Sequence, residues 1–216
     1  MLVATVALFF GFLILIFSSS KTNVISAYLG FISILIIWSW LEVAFLLGWI
    51  TGNRRSVCPK NIKGFERAWL AFQTISYHEF SLLLFGGIIF LATFDSPNQI
   101  GITTYLVLWV MRISSKLNVF LGVRNFYEEF LPKKISYLTT YFKKKSFNPL
   151  LPIILFFSLC IDMLFWYNAS YAANSFLRVS NALLASLLAL GIIEHIFMVL
   201  PFQLDRIWRL GLSRRS

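Results

Sequence analysis

The chain has 216 residues, of which 58% are hydrophobic, 18% aromatic and 13% charged, and its mean hydropathy is +0.77. A soluble domain is about one-quarter charged, and a chain this short has too little interior to hide so much apolar side chain from water. Soluble enzymes, secreted disulfide scaffolds and disordered binders are therefore excluded, and the solvent is lipid. The net charge of +10 falls in short loops between apolar runs with no groove-reading motif, so a nucleic-acid partner is excluded as well.

A bilayer core about 30 Å thick takes roughly 20 apolar residues of helix, and six stretches meet that requirement. The first, Leu2–Ser18, contains no charge. It lacks both the basic leader and the small-residue cleavage site of a signal peptide, so it reads as a retained helix. Val24–Ile50, Ala68–Phe94, Ile102–Val123, Pro149–Tyr167 and Asn181–Phe202 follow. The expected fold is all-α: one domain over residues 1–216, a polytopic integral membrane protein built as a bundle of six transmembrane helices. Cys58 falls in a loop and Cys160 in a span, without metal-ligand spacing, and both read as unpaired thiols. The sequon-like Asn168-Ala169-Ser170 falls in a short loop and carries no weight outside a secretory pathway.

With six spans, the second and fourth loops share a side with both termini. Arg54, Arg55, Lys60, Lys63 and Arg67 lie in or beside the second loop. Arg124, Lys133, Lys134 and Lys143 to Lys145 lie in the fourth, and Arg206, Arg209, Arg214 and Arg215 lie in the tail. Only Lys21 and Arg178 fall on the other side. Short loops rich in Lys and Arg stay cytoplasmic, so both termini are expected on the cytoplasmic side of the membrane. Trp49, Trp69, Trp166 and Trp208 sit near predicted helix ends, as amphipathic rings prefer. Trp38, Trp40 and Trp109 lie deeper and are expected to pack between helices. The fourth loop, about residues 124–148, interleaves Phe126, Phe130, Ile135, Leu138, Tyr141 and Phe142 with lysines and is divided by Pro132. That alternation suits a segment lying in the headgroup region, and equally a basic loop that only fixes topology.

Ionisable residues at membrane depth carry the most information. Glu42, Glu79, Asp162 and Glu194, both histidines (His78 and His195), and Arg112 and Lys116 all fall inside spans. Each charge costs about 2.5–3.5 kcal/mol at the centre of a membrane helix unless it is paired. At 1.5 Å per residue, Glu42, His78, Glu194 and Lys116 lie about 10–15 Å from the cytoplasmic face. Asp162 lies in the outer half. Helices two, three, four and six are thus expected to converge on one polar layer of Glu42, His78, Glu79, Arg112, Lys116, Glu194 and His195.

Three readings of that layer stay open. It is an ion-pair network with Arg112 and Lys116 against the carboxylates; a metal site with His78 and His195 as ligands beside glutamates; or a tetrapyrrole site with one histidine as axial ligand. For the last, Gly191 lies one turn before His195 and would make room for a macrocycle, with Ala185 and Ala189 nearby, whereas Thr74 holds that place before His78. Neighbours in sequence such as Glu194 and His195 diverge by about 100° on a helix, which weakens the metal reading. No P-loop, GxSxG, HExxH or dinucleotide fingerprint occurs.

The run Met111-Arg112-Ile113-Ser114-Ser115-Lys116-Leu117-Asn118-Val119-Phe120-Leu121-Gly122-Val123, continuing through Asn125, Glu129-Phe130-Leu131-Pro132, Tyr137-Leu138, Tyr141-Phe142 and Asn148-Pro149-Leu150, resembles the PuhE family of photosynthetic complex assembly proteins of anoxygenic phototrophic bacteria. Ala68-Trp69 and Tyr77-His78-Glu79 resemble it too. Ser115 and Arg124 stand where alanine and proline are typical of that family, and the chain is shorter than its typical members. The resemblance implies a cytoplasmic or intracytoplasmic membrane protein acting in assembly of the reaction centre and core antenna, or in bacteriochlorophyll supply. Its expected partners are subunits of those complexes, other assembly factors and membrane lipid. The polar layer is then expected to hold or pass bacteriochlorophyll or a precursor, with one histidine on magnesium and Arg112 or Lys116 on a carboxylate substituent. An alternative is a membrane-embedded metalloenzyme that modifies a tetrapyrrole through His78, His195 and carboxylates. A proton or solute transporter using Glu42 and Asp162 is a third class.

Overall fold

The computed structural model describes residues 1–126 and 131–200. Phe130, the Glu129-Phe130 part of the family-like run, Trp208 and the four arginines of the tail lie outside the described residues. Among the described residues six α-helices form: α1 Leu2–Ser19, α2 Val24–Leu46, α3 Gly64–Thr93, α4 Ile100–Leu121, α5 Leu150–Ser170 and α6 Ser175–Phe197. The protein is an all-helical, multi-pass membrane protein. Five of these helices, all but α4, are long and apolar enough to cross a bilayer. Arg112, Lys116 and Asn118 hold down the hydropathy of α4, yet its 22 residues are long enough, at about 1.5 Å each, to span the hydrocarbon.

Local signals set the boundaries. Asn23 caps α2 in a reciprocal box with Ser26, its Oδ1 accepting from Ser26 N at 2.8 Å. Asn174 caps α6 by accepting from Leu177 N at 2.8 Å. Gly122, at φ 128°, ends α4 in a conformation that side-chain-bearing residues rarely adopt. Asn148 then starts α5: its Oδ1 accepts from Leu150 N and Leu151 N, while its Nδ2 donates to Gly122 O at 2.8 Å. Sequence reading carried α2 on to Ile50 and α6 to Phe202; in the structure they end at Leu46 and Phe197.

Helix α2 is central, touching α1, α3, α4 and α6, and α4 touches α2, α3, α5 and α6. Leu15, Ile34, Ile37, Leu41, Leu82, Ile89 and Tyr105 form the main core. The deeper tryptophans pack between helices as expected, Trp38 edge-on to Tyr105 at 5.4 Å and Trp40 stacked on Phe85 at 5.7 Å. Trp49, Trp69 and Trp166 are exposed. Helix α5 buries little, namely Leu151, Ser158 and Ala169, which suits a helix facing lipid.

The two ends of the bundle differ in chemistry. At one end Asn98 ties the α3–α4 turn to α1 and α2, its Nδ2 donating to Ser18 O and Ser26 O at 3.0 and 3.1 Å. At the other end the two long connections meet. Tyr141 Oη accepts from Arg54 Nε at 2.7 Å, and Thr140 Oγ1 accepts from Cys58 N at 2.9 Å. That second end carries exposed Arg55, Lys60, Lys63, Lys133, Lys134 and Lys143 to Lys145.

In the fourth connection a 3-10 helix, Lys133–Tyr141, lies across the basic end. Its apolar residues do not lie in lipid, as a headgroup-embedded segment would place them. Ile135 and Leu138 are buried against Phe45 of α2, and Tyr141 is buried too. The alternation of apolar and basic residues thus seals the bundle with one face and shows lysines to solvent with the other.

Candidate functional site

Three helices bring the charged layer together. Arg112 of α4 donates from Nη2 to Glu42 Oε2 of α2 at 2.7 Å. One turn along α4, Lys116 pairs with Glu79 Oε1 of α3. Residues 112 and 116 share a helical face, so α4 presents two cations in register to carboxylates on two different neighbours. The second carboxylate oxygen of Glu42 lies 3.7 Å from His78 Nε2. His78 is fully buried, and its ring centroid lies 4.6 Å from that of Phe45. Lys116 Nζ sits 5.8 Å above the other flank of this cluster, the Phe45 ring. Glu42, His78, Glu79, Arg112 and Lys116 therefore form one contiguous group. Paired charge is what low-dielectric surroundings demand, and the ion-pair reading describes the contacts these residues make.

The α2–α3 connection reaches into the same layer. Thr51 is fully buried, and its carbonyl accepts from His78 N at 3.2 Å. Next to it, a Cβ on Gly52 would lie 2.0 Å from Gln73 O, so only glycine allows the connection to approach α3 this closely.

A family model described as "Protein of unknown function (DUF3623)" matches residues 1–216. The chain belongs to the DUF3623 family. It is similar to a Rhodobacter capsulatus protein described as an uncharacterized 30.4 kDa protein in the puhA 5′ region, with 30% identity over 198 residues, 92% of this chain and 72% of that one. No solved structure matches it.

The other histidine of this DUF3623 protein stands apart. His195 of α6 is fully buried, with Nδ1 2.8 Å from Gly191 O and Nε2 2.6 Å from Ser114 Oγ. A carbonyl only accepts, so Nδ1 carries the proton; Nε2 faces the Ser114 hydroxyl, whose single proton is shared between that nitrogen and Met111 O at 2.9 Å. Both nitrogens are committed. The space expected beside Gly191 is filled by Met111, whose Cε lies 3.0 Å from where a Cβ on Gly191 would stand. Ser114 and Gly191 partner His195, whereas Glu42 and Phe45 flank His78, so the two imidazoles do not share a centre. Among the described residues, no group of three or more His, Cys, Asp and Glu gathers to hold a metal ion.

Glu194 corrects the expected layer. It lies on the exposed face of α6, and because α6 ends at Phe197 it is three residues, about 5 Å, from the helix terminus. A side chain so near the boundary reaches the interface. Asp162, half-buried on α5, is likewise separate from the layer.

Sequence reasoning treated Arg67 as one of many topology-setting charges. In the structure it is buried, donates to Phe120 O at the end of α4 and to Tyr141 O at the end of the 3-10 helix, and lies 4.2 Å above the Phe120 ring. Its charge also holds the Lys143 ammonium below the usual lysine range. The one sequence signal available was its place at the start of an otherwise apolar helix, which does not distinguish a clamp from a solvated charge.

Proposed function

We propose that this protein is an assembly factor for a bacterial photosynthetic complex, resident in the cytoplasmic membrane. The observation that carries this reading is the match over 198 residues to a protein described by its place in the puhA 5′ region. The resemblance of the Met111–Val123 run and its continuation to the PuhE family supports the same conclusion. Six crossings, with both termini and the basic end in the cytoplasm, fit the positive-inside rule. They also fit the path of α4, which runs from the Asn98 end to the basic end.

The contacts of the interior favour a structural role for the polar layer. Both cations of the layer are held by carboxylates, and no metal-like donor set converges with them among the described residues. For a magnesium tetrapyrrole as cargo the two histidines are unfavourably placed. His195 has both nitrogens bonded, and His78 is fully enclosed with Phe45 over its face. The polar layer therefore acts to fix the register of α2, α3 and α4, a role for which buried ionic groups have precedent. Contact with reaction-centre or core-antenna subunits falls to the basic end, where eight exposed cations from two connections form one face that also attracts anionic lipid headgroups.

The test is deletion of the gene in a phototrophic host, with reaction-centre and core-antenna absorbance measured per unit of membrane protein. Reduced complex yield, restored by the wild-type gene but not by a gene with Lys133, Lys134 and Lys143 to Lys145 changed to glutamine, is expected. Full complex yield in the deletion strain overturns the assembly reading.

A further inference from the structure

The ion pairs leave part of the layer unexplained. Glu42 Oε1, both ring nitrogens of His78, the Thr51 hydroxyl and Arg112 Nε are all buried without a hydrogen-bond partner among the described residues. They come from four segments (α2, the α2–α3 connection, α3 and α4), and contacts join these residues: Glu42 to His78 at 3.7 Å, Glu42 to Arg112 at 2.7 Å, and His78 N to Thr51 O at 3.2 Å. Buried polar atoms of native proteins nearly always find partners, so a cluster of this kind points to a ligand.

The chemistry of the atoms selects its class. A carboxylate oxygen only accepts and a guanidinium Nε only donates. A neutral imidazole does one of each, and a hydroxyl does both. The matching guest must be able to donate and accept. It must also be neutral, because Glu42, Glu79, Arg112 and Lys116 already balance in charge. A metal cation would have only Glu42 and His78 as ligands and would face Arg112 across the same carboxylate; an anion would face Glu42. Buried water joins two to four polar groups in this way. The non-helical Thr51–Gly52 segment packs against α3 beside His78 and so brings a further hydroxyl to the same layer.

We propose that Glu42, Thr51, His78 and Arg112 bind water inside the bundle, where the α2–α3 connection meets α2, α3 and α4. This goes beyond the assembly reading and does not depend on it.

X-ray radiolytic labelling of the intact protein in nanodiscs tests it, because water held in place generates hydroxyl radicals that oxidise the side chains beside it. His195 is an internal control: it is equally buried, but its nitrogens are bonded to protein. His78 and Phe45 are expected to oxidise several-fold faster than His195. In Thr51→Val the ratio should fall toward one, and in Thr51→Ser it should hold. Equal labelling of His78 and His195 in the wild-type protein overturns the proposal even if Thr51→Val fails to fold. So does an organic molecule that co-purifies with the protein and whose extraction raises labelling at His78.

Discussion

Arg112 and Glu42 meet at 2.7 Å between α4 and α2, and this contact joins the most polar helix of the bundle to the most central one. Glu42→Leu leaves Arg112 without its counter-charge at membrane depth, and about 2–3 kcal/mol of stability should be lost. The double variant Glu42→Leu/Arg112→Leu should recover most of that loss, since removing both charges of a buried pair is often neutral. Thermal unfolding in detergent of the two single variants and the double variant measures the coupling. Additive losses would show that the pair carries no mutual stabilisation.

Arg67 is the clamp of the basic end, because a planar guanidinium reaches two carbonyls on two different segments at once. Lysine keeps the charge but offers no such fork. Arg67→Lys is therefore expected to cost about 1–3 kcal/mol, the usual penalty for buried acceptors left unmatched. The 3-10 helix should detach first. Limited proteolysis in the 122–149 connection reports this, and cleavage should rise in Arg67→Lys while staying at the wild-type level in Lys63→Gln, which changes an exposed charge.

How far the sequence carried the structure depends on what kind of signal each residue gave. Long, mainly apolar runs marked the six helices, although Arg112 and Lys116 keep α4 below the hydropathy of the other five. Charge cost likewise predicted that Glu42, His78, Glu79, Arg112 and Lys116 would face inward together. Glu194 was misplaced because helix ends are set by local geometry that composition does not encode. Once α6 stops at Phe197, the acid beside His195 lies at the interface, about 100° around the helix from its buried neighbour. The aromatic-basic alternation of the fourth connection showed that one face is apolar, but not whether lipid or Phe45 would cover it. The entry of Thr51 and Gly52 into the layer left no periodic trace at all, since it depends on a single missing Cβ.

That missing Cβ gives a paired prediction. Gly52→Ala places a methyl 2.0 Å from Gln73 O, whereas a Cβ on Gly87 meets nothing within 4 Å. Gly52→Ala should push the connection off α3 and destabilise the protein by about 1–3 kcal/mol, the usual cost of forced overpacking. Gly87→Ala should stabilise α3 by up to about 1 kcal/mol through helix propensity. Thermal unfolding of the two variants beside wild type decides, and equal effects would mean that the connection does not hold the position described.

Ser114 and His195 predict a structural role with a defined chemical signature. Ser114→Ala removes the hydroxyl that faces Nε2 and leaves a buried ring nitrogen unpaired, at a cost of about 1–3 kcal/mol. Ser114→Thr keeps the hydroxyl and should retain most of the stability. Nitrogen-15 spectra of the imidazole should show His195 protonated at Nδ1 in the wild-type protein, because Gly191 O faces that atom. A ring protonated at Nε2 alone would contradict the assignment.

The two cysteines test orientation without any engineered label site. Cys58 is half-buried in the α2–α3 connection at the basic end, and Cys160 is exposed on α5 among Phe156, Phe157, Met163 and Leu164. Maleimides react with the thiolate, which forms readily only where water reaches the sulfur. Cys160 lies on an apolar, lipid-facing stretch of α5 that a water-soluble reagent does not reach, so Cys58 is the reactive residue. With the basic end in the cytoplasm, a membrane-impermeant maleimide should label inverted membrane vesicles at Cys58 and leave intact spheroplasts unlabelled, and Cys58→Ser should abolish the signal. Labelling of spheroplasts at Cys58 would reverse the topology. It would also place the lysine face of the 3-10 helix on the side away from the cytoplasmic anionic lipids it is argued to meet.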